Sequence, residues 1–168
     1  VSDSRGVIYN KDGLKVKEIV AIKDKGGSVV DYKHGRILSN KDIISVPSDI
    51  LIPAAIPNLI IASDVDKVKA KLIVEGSNIP MESNVEELLH KKGVLVIPDF
   101  VANAGGVISS YVEYIGGTPK EMFKMVEQKI TANVKTVLKH VNEKSPRDVA
   151  MEIAKRRVRA KCKTCRVY

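Results

Sequence analysis

The sequence predicts an α/β fold with a mostly parallel sheet, because three short apolar runs recur in its middle. The runs cover residues 49–52, 71–74 and 94–97, and each is continuous rather than alternating, which is typical of strands buried on both faces. Helix-like segments at residues 63–69 and 83–92 separate them. A strand–helix–strand order at this spacing indicates parallel strands joined by right-handed crossovers.

The first fifty residues fit the same scheme less regularly. Residues 1–4 are compatible with the end of a strand. Apolar side chains at helical spacing from Leu14 to Ile22 predict a helix that ends at Gly26-Gly27. Residues 39–46 predict a short helix before the next strand.

The later part of the chain carries helix start signals. Ser83 and Glu86 have the spacing of a capping box. Thr118 is followed by a proline and by Glu121, which together predict the start of a helix. Ser145 begins the same pattern again, so the sequence predicts two closing helices.

The charge pattern argues against nucleic-acid binding as the main function. The formal net charge is +8, but the excess is local, with seven basic and no acidic residues from Lys155 to Arg166. Two Phe and no Trp leave no stacking platform for bases. No apolar run approaches the roughly eighteen residues of a membrane span, so we expect no membrane partner. No signal peptide is visible, and a start at Val1 rather than Met is compatible with processing, trimming or an excerpt.

The two cysteines, Cys162 and Cys165, lie close together in the basic tail. A CxxC pair is compatible with a redox pair or with half of a zinc site. A closed zinc site needs four ligands, and no second Cys/His pair lies nearby. We therefore expect no bound metal and two ordinary thiols in a reducing cytoplasm.

Small and amide-bearing residues follow each apolar run, where open parallel sheets bind their ligands. Ala54 and Ala55 follow the first run and would let a ligand approach the backbone, while Asn58 offers a donor and an acceptor. Asn78 follows the second run and Asn103 the third. Each Asn alone is compatible with a turn or cap. Three at three successive strand ends indicate a binding site.

Asp3 stands at the end of the first expected strand. In dinucleotide-binding folds an acidic residue at such a position accepts hydrogen bonds from the adenosine ribose hydroxyls. A turn-forming Asp before Gly6 is the plainer interpretation, and on this residue alone it would be preferred.

Several segments together resemble the glutamate, leucine, phenylalanine and valine dehydrogenase family. They read VSDSRGVIYNKDGL, DILIPAAIPN, LIVEGSN and GVLVIPDFVANAGGVISSYVEY, and with the closing helices they follow the family's order to about Arg159. NAGGV is the most specific of them. The resemblance implies an oxidoreductase of amino-acid metabolism that deaminates an amino acid to a 2-oxo acid with NAD or NADP.

The resemblance also implies roles for single residues. Asp3 would meet the adenosine ribose, the Ala54-Ala55 loop and Asn78 would line the cofactor groove, and Asn103 would bind near the nicotinamide ribose or carboxamide. Asn58 belongs to the same expected set of cofactor residues.

One position bears on the substrate. In family members that act on glutamate, a Ser three residues after NAGGV bonds the side-chain carboxylate of the substrate, and Ser110 holds that place here. Val107 would face the aliphatic stem. Members that act on branched-chain amino acids tend to have an apolar residue instead. We therefore expect oxidation of L-glutamate to 2-oxoglutarate and ammonia.

The resemblance implies a Rossmann-like nucleotide-binding domain that lacks its first strand and phosphate loop here. No GxGxxG occurs in the sequence, and the family places it just before the segment that begins at Val1. The catalytic Lys and Asp lie in the family's earlier substrate domain, so no catalytic residue is assigned here, and the chain alone should be inactive. We expect an incomplete dinucleotide-binding domain at residues 1–116 and C-terminal helices at residues 117–168.

Several alternatives stay open. The parent enzyme could act on branched-chain or aromatic amino acids, or the chain could be a non-catalytic binding domain derived from the family. The choice between NAD and NADP is also open. The family implies a cytoplasmic homo-oligomer. The turn at Ile79-Pro80-Met81-Glu82 departs from the family's usual polar turn, and no function is assigned to that departure.

Overall fold

The computed structural model describes residues 1–142 and 144–162, and it has an α/β architecture with two compact units. One unit comprises Val1–Ser48 with Asp66–Lys69, and the other comprises Asp49–Val65 with the described residues from Ala70 onward. No helix among the described residues is long and apolar enough to cross a membrane.

The first unit is built on a three-stranded antiparallel sheet in the order β1-β2-β3. The strands are β1 (Ser2–Asp3), β2 (Gly6–Tyr9) and β3 (Arg36–Leu38). The expected strand at residues 1–4 is present as β1, but the expectation that this region follows the parallel scheme is wrong, because β1 pairs antiparallel with β2. A two-residue turn joins β1 to β2, and only an antiparallel pair can be closed by so short a connection.

The helical segments of this unit follow the prediction. Helix α1 (Val16–Asp24) is followed by Gly26, whose φ of +77° suits a residue without a side chain. The expected short helix at residues 39–46 is a 3₁₀ helix, Asn40–Ser45, and a second 3₁₀ helix spans Val29–Asp31. One core cluster of the unit comprises Ile8, Ile19, Val29 and Tyr32.

The second unit contains the parallel sheet that the apolar runs predicted. Strands β4 (Ile50–Leu51), β5 (Leu72–Val74) and β6 (Leu95–Ile97) pair in that order, with Leu51 opposite Ile73 and Ile73 opposite Val96. The expected burial on both faces is wrong for β4. This strand lies at an edge of the described sheet and Ile50 is 53% exposed, whereas Ile73 in the central strand is fully buried.

Helices connect and cover this sheet. The first expected connecting helix is a 3₁₀ helix, Ala62–Lys67, and the second is α2 (Ser83–Lys91). The capping box expected from Ser83 and Glu86 is wrong. Glu82 is the N-cap residue of α2, and Glu86 is buried rather than turned back to the helix start.

Four helices follow β6 and complete the unit. They are α3 (Asp99–Ala102), α4 (Gly105–Tyr114), α5 (Pro119–Leu138) and α6 (Pro146–Lys161). The predicted starts of the last two are confirmed. Thr118 accepts from the backbone N–H of Glu121 in a capping box, and Ser145 accepts from that of Asp148. Helices α5 and α6 pack on the sheet through a cluster of five buried apolar residues: Ile97, Val101, Val137, Val149 and Ala150.

Candidate functional site

The loops that follow β4, β5 and β6 are joined into one structure at the carboxyl end of the parallel sheet. Gly76 N, after β5, donates to Pro53 O, after β4, over 2.9 Å. Asn58 N donates to Ile79 O, also over 2.9 Å. Ile79 N in turn donates to Asp99 Oδ2, at the end of β6, over 3.0 Å. The residues that follow the three apolar runs therefore lie on loops that are hydrogen-bonded to one another.

Small residues allow the first two loops to pack closely. A Cβ built on Gly76 would lie 3.1 Å from Ala54 Cβ, so a side chain at Gly76 would require Ala54 to shift by a few tenths of an ångström. Ala54 and Ala55 are both exposed. Because both side chains are small and exposed, the backbone of this loop is accessible to a ligand.

The two asparagines after β5 and β6 are in direct contact. Asn103 Nδ2 donates to Asn78 Oδ1 over 2.7 Å. Asn103 is the C-cap residue of α3, and its backbone N–H donates to Asp99 O over 2.7 Å. Within the described part of the chain, no hydrogen bond involves Asn78 Nδ2 or Asn103 Oδ1. The pair therefore presents a free donor group, Asn78 Nδ2, and a free acceptor atom, Asn103 Oδ1.

Asn58 takes part through its backbone rather than its side chain. It has a φ of +52°, a left-handed conformation that Asn tolerates better than most residues. Its side chain is exposed and makes no hydrogen bond to the described residues. Asn58 thus lies in the connected loops without joining the Asn78–Asn103 pair.

The two expected substrate residues lie on α4, three positions apart and so on one helix face. Val107 is 77% exposed. Ser110 is also exposed, and its hydroxyl donates to Gly106 O over 3.2 Å. This bond to the preceding turn is the ordinary behaviour of a helical Ser. A contact with a substrate carboxylate would require the hydroxyl to rotate away from Gly106.

Asp3, in the first unit, is a heavily bonded carboxylate. Oδ1 accepts from Arg5 N and from Ser28 Oγ, while Oδ2 accepts from Lys23 Nζ and from Val29 N, all at 2.9–3.0 Å. These contacts, with the Lys23 hydrogen bond first, hold the pKa of Asp3 well below its usual range. Its acceptor sites are all in use, so a ribose hydroxyl would have to displace one of the four donors.

A buried ionic cluster, which sequence reasoning missed, is bonded to the connected loops through Asp99. Arg147, in the first turn of α6, donates through Nε to Glu86 Oε1 over 2.6 Å. Its Nη2 donates to Asp99 Oδ1 over 2.8 Å and to Glu75 Oε2 over 3.2 Å. Three carboxylates, one directly after β5, one in α2 and one in α3, therefore share one guanidinium, and we call these four residues the Arg147 cluster.

Burial dominates the electrostatics of two members. Glu75 is completely buried, and its desolvation, followed by the nearby charge of Glu86, raises its pKa to about 8. Desolvation also raises the pKa of Glu86 to about 7, against the attraction of Arg147. Glu75 Oε1 is buried without a hydrogen-bond partner. The cluster is therefore short of positive charge and donors.

Asp99 behaves in the opposite way. Burial would raise its pKa, but hydrogen bonds from Ile79 N, Arg147 and Phe100 N together lower it below the usual value. Asp99 is thus ionised and well satisfied at the centre of the cluster.

Weak signals for this cluster exist in the sequence. Glu75 follows the second apolar run without a break, and a carboxylate there is unusual at the end of a buried strand. Glu86 lies beside Val85 and Leu89 on the buried face of α2. Its spacing from Ser83 instead led to the prediction of a capping box, which does not form. Nothing in the sequence pairs either glutamate with Arg147, which lies more than sixty positions further on.

No group of three or more His, Cys, Asp or Glu in the described part of the chain could hold a metal ion. Cys162 is disulfide-bonded, so the expectation of an ordinary thiol at that position is wrong. Cys165 lies outside the described residues.

The chain matches known proteins over nearly its whole length. The family model for Glutamate/Leucine/Phenylalanine/Valine dehydrogenase matches residues 1–164. A glutamate dehydrogenase of Aeropyrum pernix is 44% identical over 170 aligned positions, covering 94% of this chain and 41% of that protein. An NADP-specific glutamate dehydrogenase of Saccharolobus shibatae is 45% identical over 68% of this chain and 27% of that protein. The chain thus spans less than half the length of these curated relatives.

Solved structures give a similar result. The hetero-hexameric glutamate dehydrogenase from Thermus thermophilus, in its Leu-bound form, superposes with a TM-score of 0.80 at 24% identity, covering 97% of this chain and 40% of that one. The L-tryptophan dehydrogenase from Nostoc punctiforme superposes with a TM-score of 0.69 at 26% identity, covering 89% of this chain and 43% of that one. The first of these likenesses supports the fold alone.

Proposed function

Because the chain belongs to the glutamate/leucine/phenylalanine/valine dehydrogenase family, we propose that it forms part of an NAD(P)-dependent glutamate dehydrogenase. The observation that carries the proposal is the Asn78–Asn103 pair at the carboxyl end of the parallel sheet. Its free donor and acceptor match the oxygen and the amide hydrogens of a nicotinamide carboxamide. Open α/β sheets bind their ligands at this edge.

The bound cofactor supplies the redox chemistry. When bound, NAD or NADP would supply the hydride acceptor for oxidation of the α-carbon of glutamate, and hydrolysis of the product imine by water would give 2-oxoglutarate and ammonia. Asn78 and Asn103 would hold the nicotinamide end in one orientation. The small side chains of Ala54 and Ala55 would let the cofactor lie against the backbone of the loop after β4.

The remaining expected residues complete the assignment. Asn58 contributes a third amide to the cofactor surface, and Asp3 meets the adenosine ribose after one of its present donors is displaced. The exposed, flexible side chain of Lys23 is the easiest of these donors to move. Within this Rossmann-like scheme, residues 1–116 form the dinucleotide-binding part and residues 117–168 the C-terminal helices.

Ser110 and Val107 form the substrate side of the site. The Ser110 hydroxyl turns from Gly106 to donate to the distal carboxylate of glutamate, and Val107 lies against the aliphatic stem. A hydroxyl suits a carboxylate better than an isobutyl group, since an unpaired polar group beside an apolar side chain is costly. No residue of this chain is assigned as general acid or base. The parent enzyme is proposed to be a cytoplasmic homo-oligomer that needs no metal.

A second candidate is a dehydrogenase for aromatic or branched-chain amino acids. It is favoured by the likeness to the L-tryptophan dehydrogenase, whose identity to this chain is 26%. A non-catalytic binding domain is the third candidate.

A substrate panel separates the three candidate functions. The whole protein that contains this chain is assayed with glutamate, leucine, phenylalanine and tryptophan, each with NAD and with NADP. The highest kcat/KM is expected for glutamate, a preference for another amino acid would support the second candidate, and absence of turnover would support the third.

A further inference from the structure

The Arg147 cluster lies between α6 and the loops that carry the two asparagines. The Arg147 side chain is 19% exposed, and the carboxylates it bonds are more deeply buried. Its guanidinium also lies 5.4 Å from the centre of the Phe100 ring, which packs against the planar group. Guanidinium donors have a fixed planar geometry, so Arg147 constrains direction as well as charge.

Asp99 transmits this constraint to the loop after β5. Its Oδ1 accepts from Arg147, and its Oδ2 accepts from the backbone N–H of Ile79. Ile79 directly follows Asn78 and has a φ of +47°, which is unusual for a β-branched residue. Such a conformation persists only where surrounding contacts hold it, and the bond from Ile79 to Asp99 is one of them. Asp99 therefore helps to fix the backbone beside Asn78.

Asp99 also fixes the position of Asn103. It is the first residue of α3, and Asn103 ends that helix with a hydrogen bond from its backbone N–H to Asp99 O. The backbone N–H of Asp99 donates to Glu75 Oε2 over 2.7 Å, which ties the start of α3 to the end of β5. Both asparagines are thus attached to one aspartate, and that aspartate is held by Arg147.

We propose that Arg147 is a positioning residue that, through Asp99, sets the alignment of the Asn78 and Asn103 amides and thereby the affinity for the nicotinamide cofactor. Arg147 does not touch the cofactor itself. The cofactor part of this inference rests on the proposed function, whereas the alignment of the two amides does not.

The test uses variants of the whole protein that contains this chain. Arg147→Met keeps the aliphatic stem and removes every donor, and Arg147→Lys keeps the charge but not the planar fork. Arg156→Met is the matched control, because Arg156 is an exposed arginine on the same helix. Each protein is assayed for kcat and for KM of cofactor and glutamate, below the temperature at which any of them begins to unfold. The Kd for NADH and NADPH is measured by nucleotide fluorescence.

Arg147→Met is expected to raise the cofactor KM and Kd by about three- to tenfold, the value of one neutral hydrogen bond, because Arg147 acts only through the two amides. Its KM for glutamate is expected to change by less than about twofold, because Ser110 and Val107 lie on α4, outside the cluster. Arg147→Lys should recover part of the loss and Arg156→Met should match the wild type. If Arg147→Met lowers the melting temperature but leaves the cofactor KM unchanged, Arg147 is only structural and the proposal is wrong.

A crystal structure of Arg147→Met tests the alignment without relying on activity. The bond from Asn103 Nδ2 to Asn78 Oδ1, 2.7 Å in the wild type, is expected to be lost. An intact bond would overturn the proposal even if cofactor affinity fell. If the wild type binds neither NADH nor NADPH, the proposed function fails, and this distance still decides whether Arg147 positions the pair. Should Arg147→Met not fold, Asp99→Asn removes the same ion pair and is read by the same two measurements.

Discussion

The side-chain amide of Asn103 donates to the side-chain oxygen of Asn78 over 2.7 Å, which joins the ends of two neighbouring parallel strands. An amide in contact with another amide loses the freedom to rotate about its last torsion. Each asparagine therefore orients the other, and both present a fixed donor and acceptor to a ligand. This mutual dependence leads to the first prediction.

Asn78→Ala and Asn103→Ala are each expected to raise the cofactor KM of the whole enzyme by about three- to tenfold, the value of one neutral hydrogen bond. The double variant should lose less than the product of the two single losses, because the first substitution already frees the second amide. Steady-state kinetics on the four proteins measures this. Asn84→Ala, an exposed position on α2, is the control and should leave the KM unchanged. Strictly multiplicative losses would show that the two amides act independently.

Ser110→Ala should distinguish glutamate from substrates that lack a distal carboxylate. A hydrogen bond to a charged group contributes about 1.5–3 kcal/mol, so kcat/KM for glutamate should fall by about ten- to a hundredfold. The kcat/KM values for norvaline and leucine should be nearly unchanged. The matched control is Ser109→Ala, since the Ser109 hydroxyl donates to the same Gly106 carbonyl over 2.7 Å. Equal losses for all substrates would remove Ser110 from the site.

Asp3→Asn should lower stability at neutral pH and much less in acid. The folded state holds the pKa of Asp3 below its unfolded value near 3.9, so the ionised carboxylate stabilises the fold above about pH 4. That contribution is lost as the pH falls further, toward the folded pKa. Urea denaturation at neutral and at acid pH should therefore show a difference from the wild type that shrinks on acidification. Asp12→Asn, at an exposed carboxylate, is the control. A difference independent of pH would contradict the assignment.

Glu75→Gln should weaken the pH dependence of stability on the alkaline side. The folded pKa values of Glu75 and Glu86, about 8 and about 7, lie above their unfolded values, so these groups favour folding most when protonated. The free energy of unfolding of the wild type should therefore decrease as the pH rises from about 5 to about 8. Denaturation curves across this range should be flatter for Glu75→Gln. Glu87→Gln, in an exposed pair with Lys91, should keep the wild-type slope. Parallel slopes for all three proteins would refute the prediction.

Local signals were enough to predict much of the fold. The apolar runs predicted the parallel strands, and Thr118 and Ser145 predicted the starts of α5 and α6, because a capping bond depends on residues three positions apart. The antiparallel arrangement of β1 and β2 was not predicted, although the two-residue turn between them requires it. The exposure of Ile50 could not be predicted, since an apolar run carries no information about which strand lies at an edge.

The candidate site was predictable to a similar depth. The position of Asn78 and Asn103 after successive runs was enough to expect both at one binding edge, since open parallel sheets bind ligands at the ends of their strands. The Asp3 carboxylate accepts hydrogen bonds from Lys23, Ser28 and Val29, and no local sequence pattern connects these residues to residue 3. The Arg147 cluster likewise joins residues from α2, α3 and α6 to the residue that follows β5. Long-range ionic contacts of this kind appear only once the chain is folded.

The central claim is that this chain serves the oxidative deamination of glutamate, and product stoichiometry tests it most directly. The whole protein is incubated with L-glutamate and either NAD or NADP, and reduced nicotinamide, 2-oxoglutarate and ammonia are measured together, with the isolated 168-residue chain as a parallel sample. The account predicts that the whole protein forms the three products in equal amounts with at least one cofactor, while the isolated chain forms none. Absence of reduced nicotinamide from the whole protein with glutamate, under conditions where it binds the cofactor, would contradict the claim.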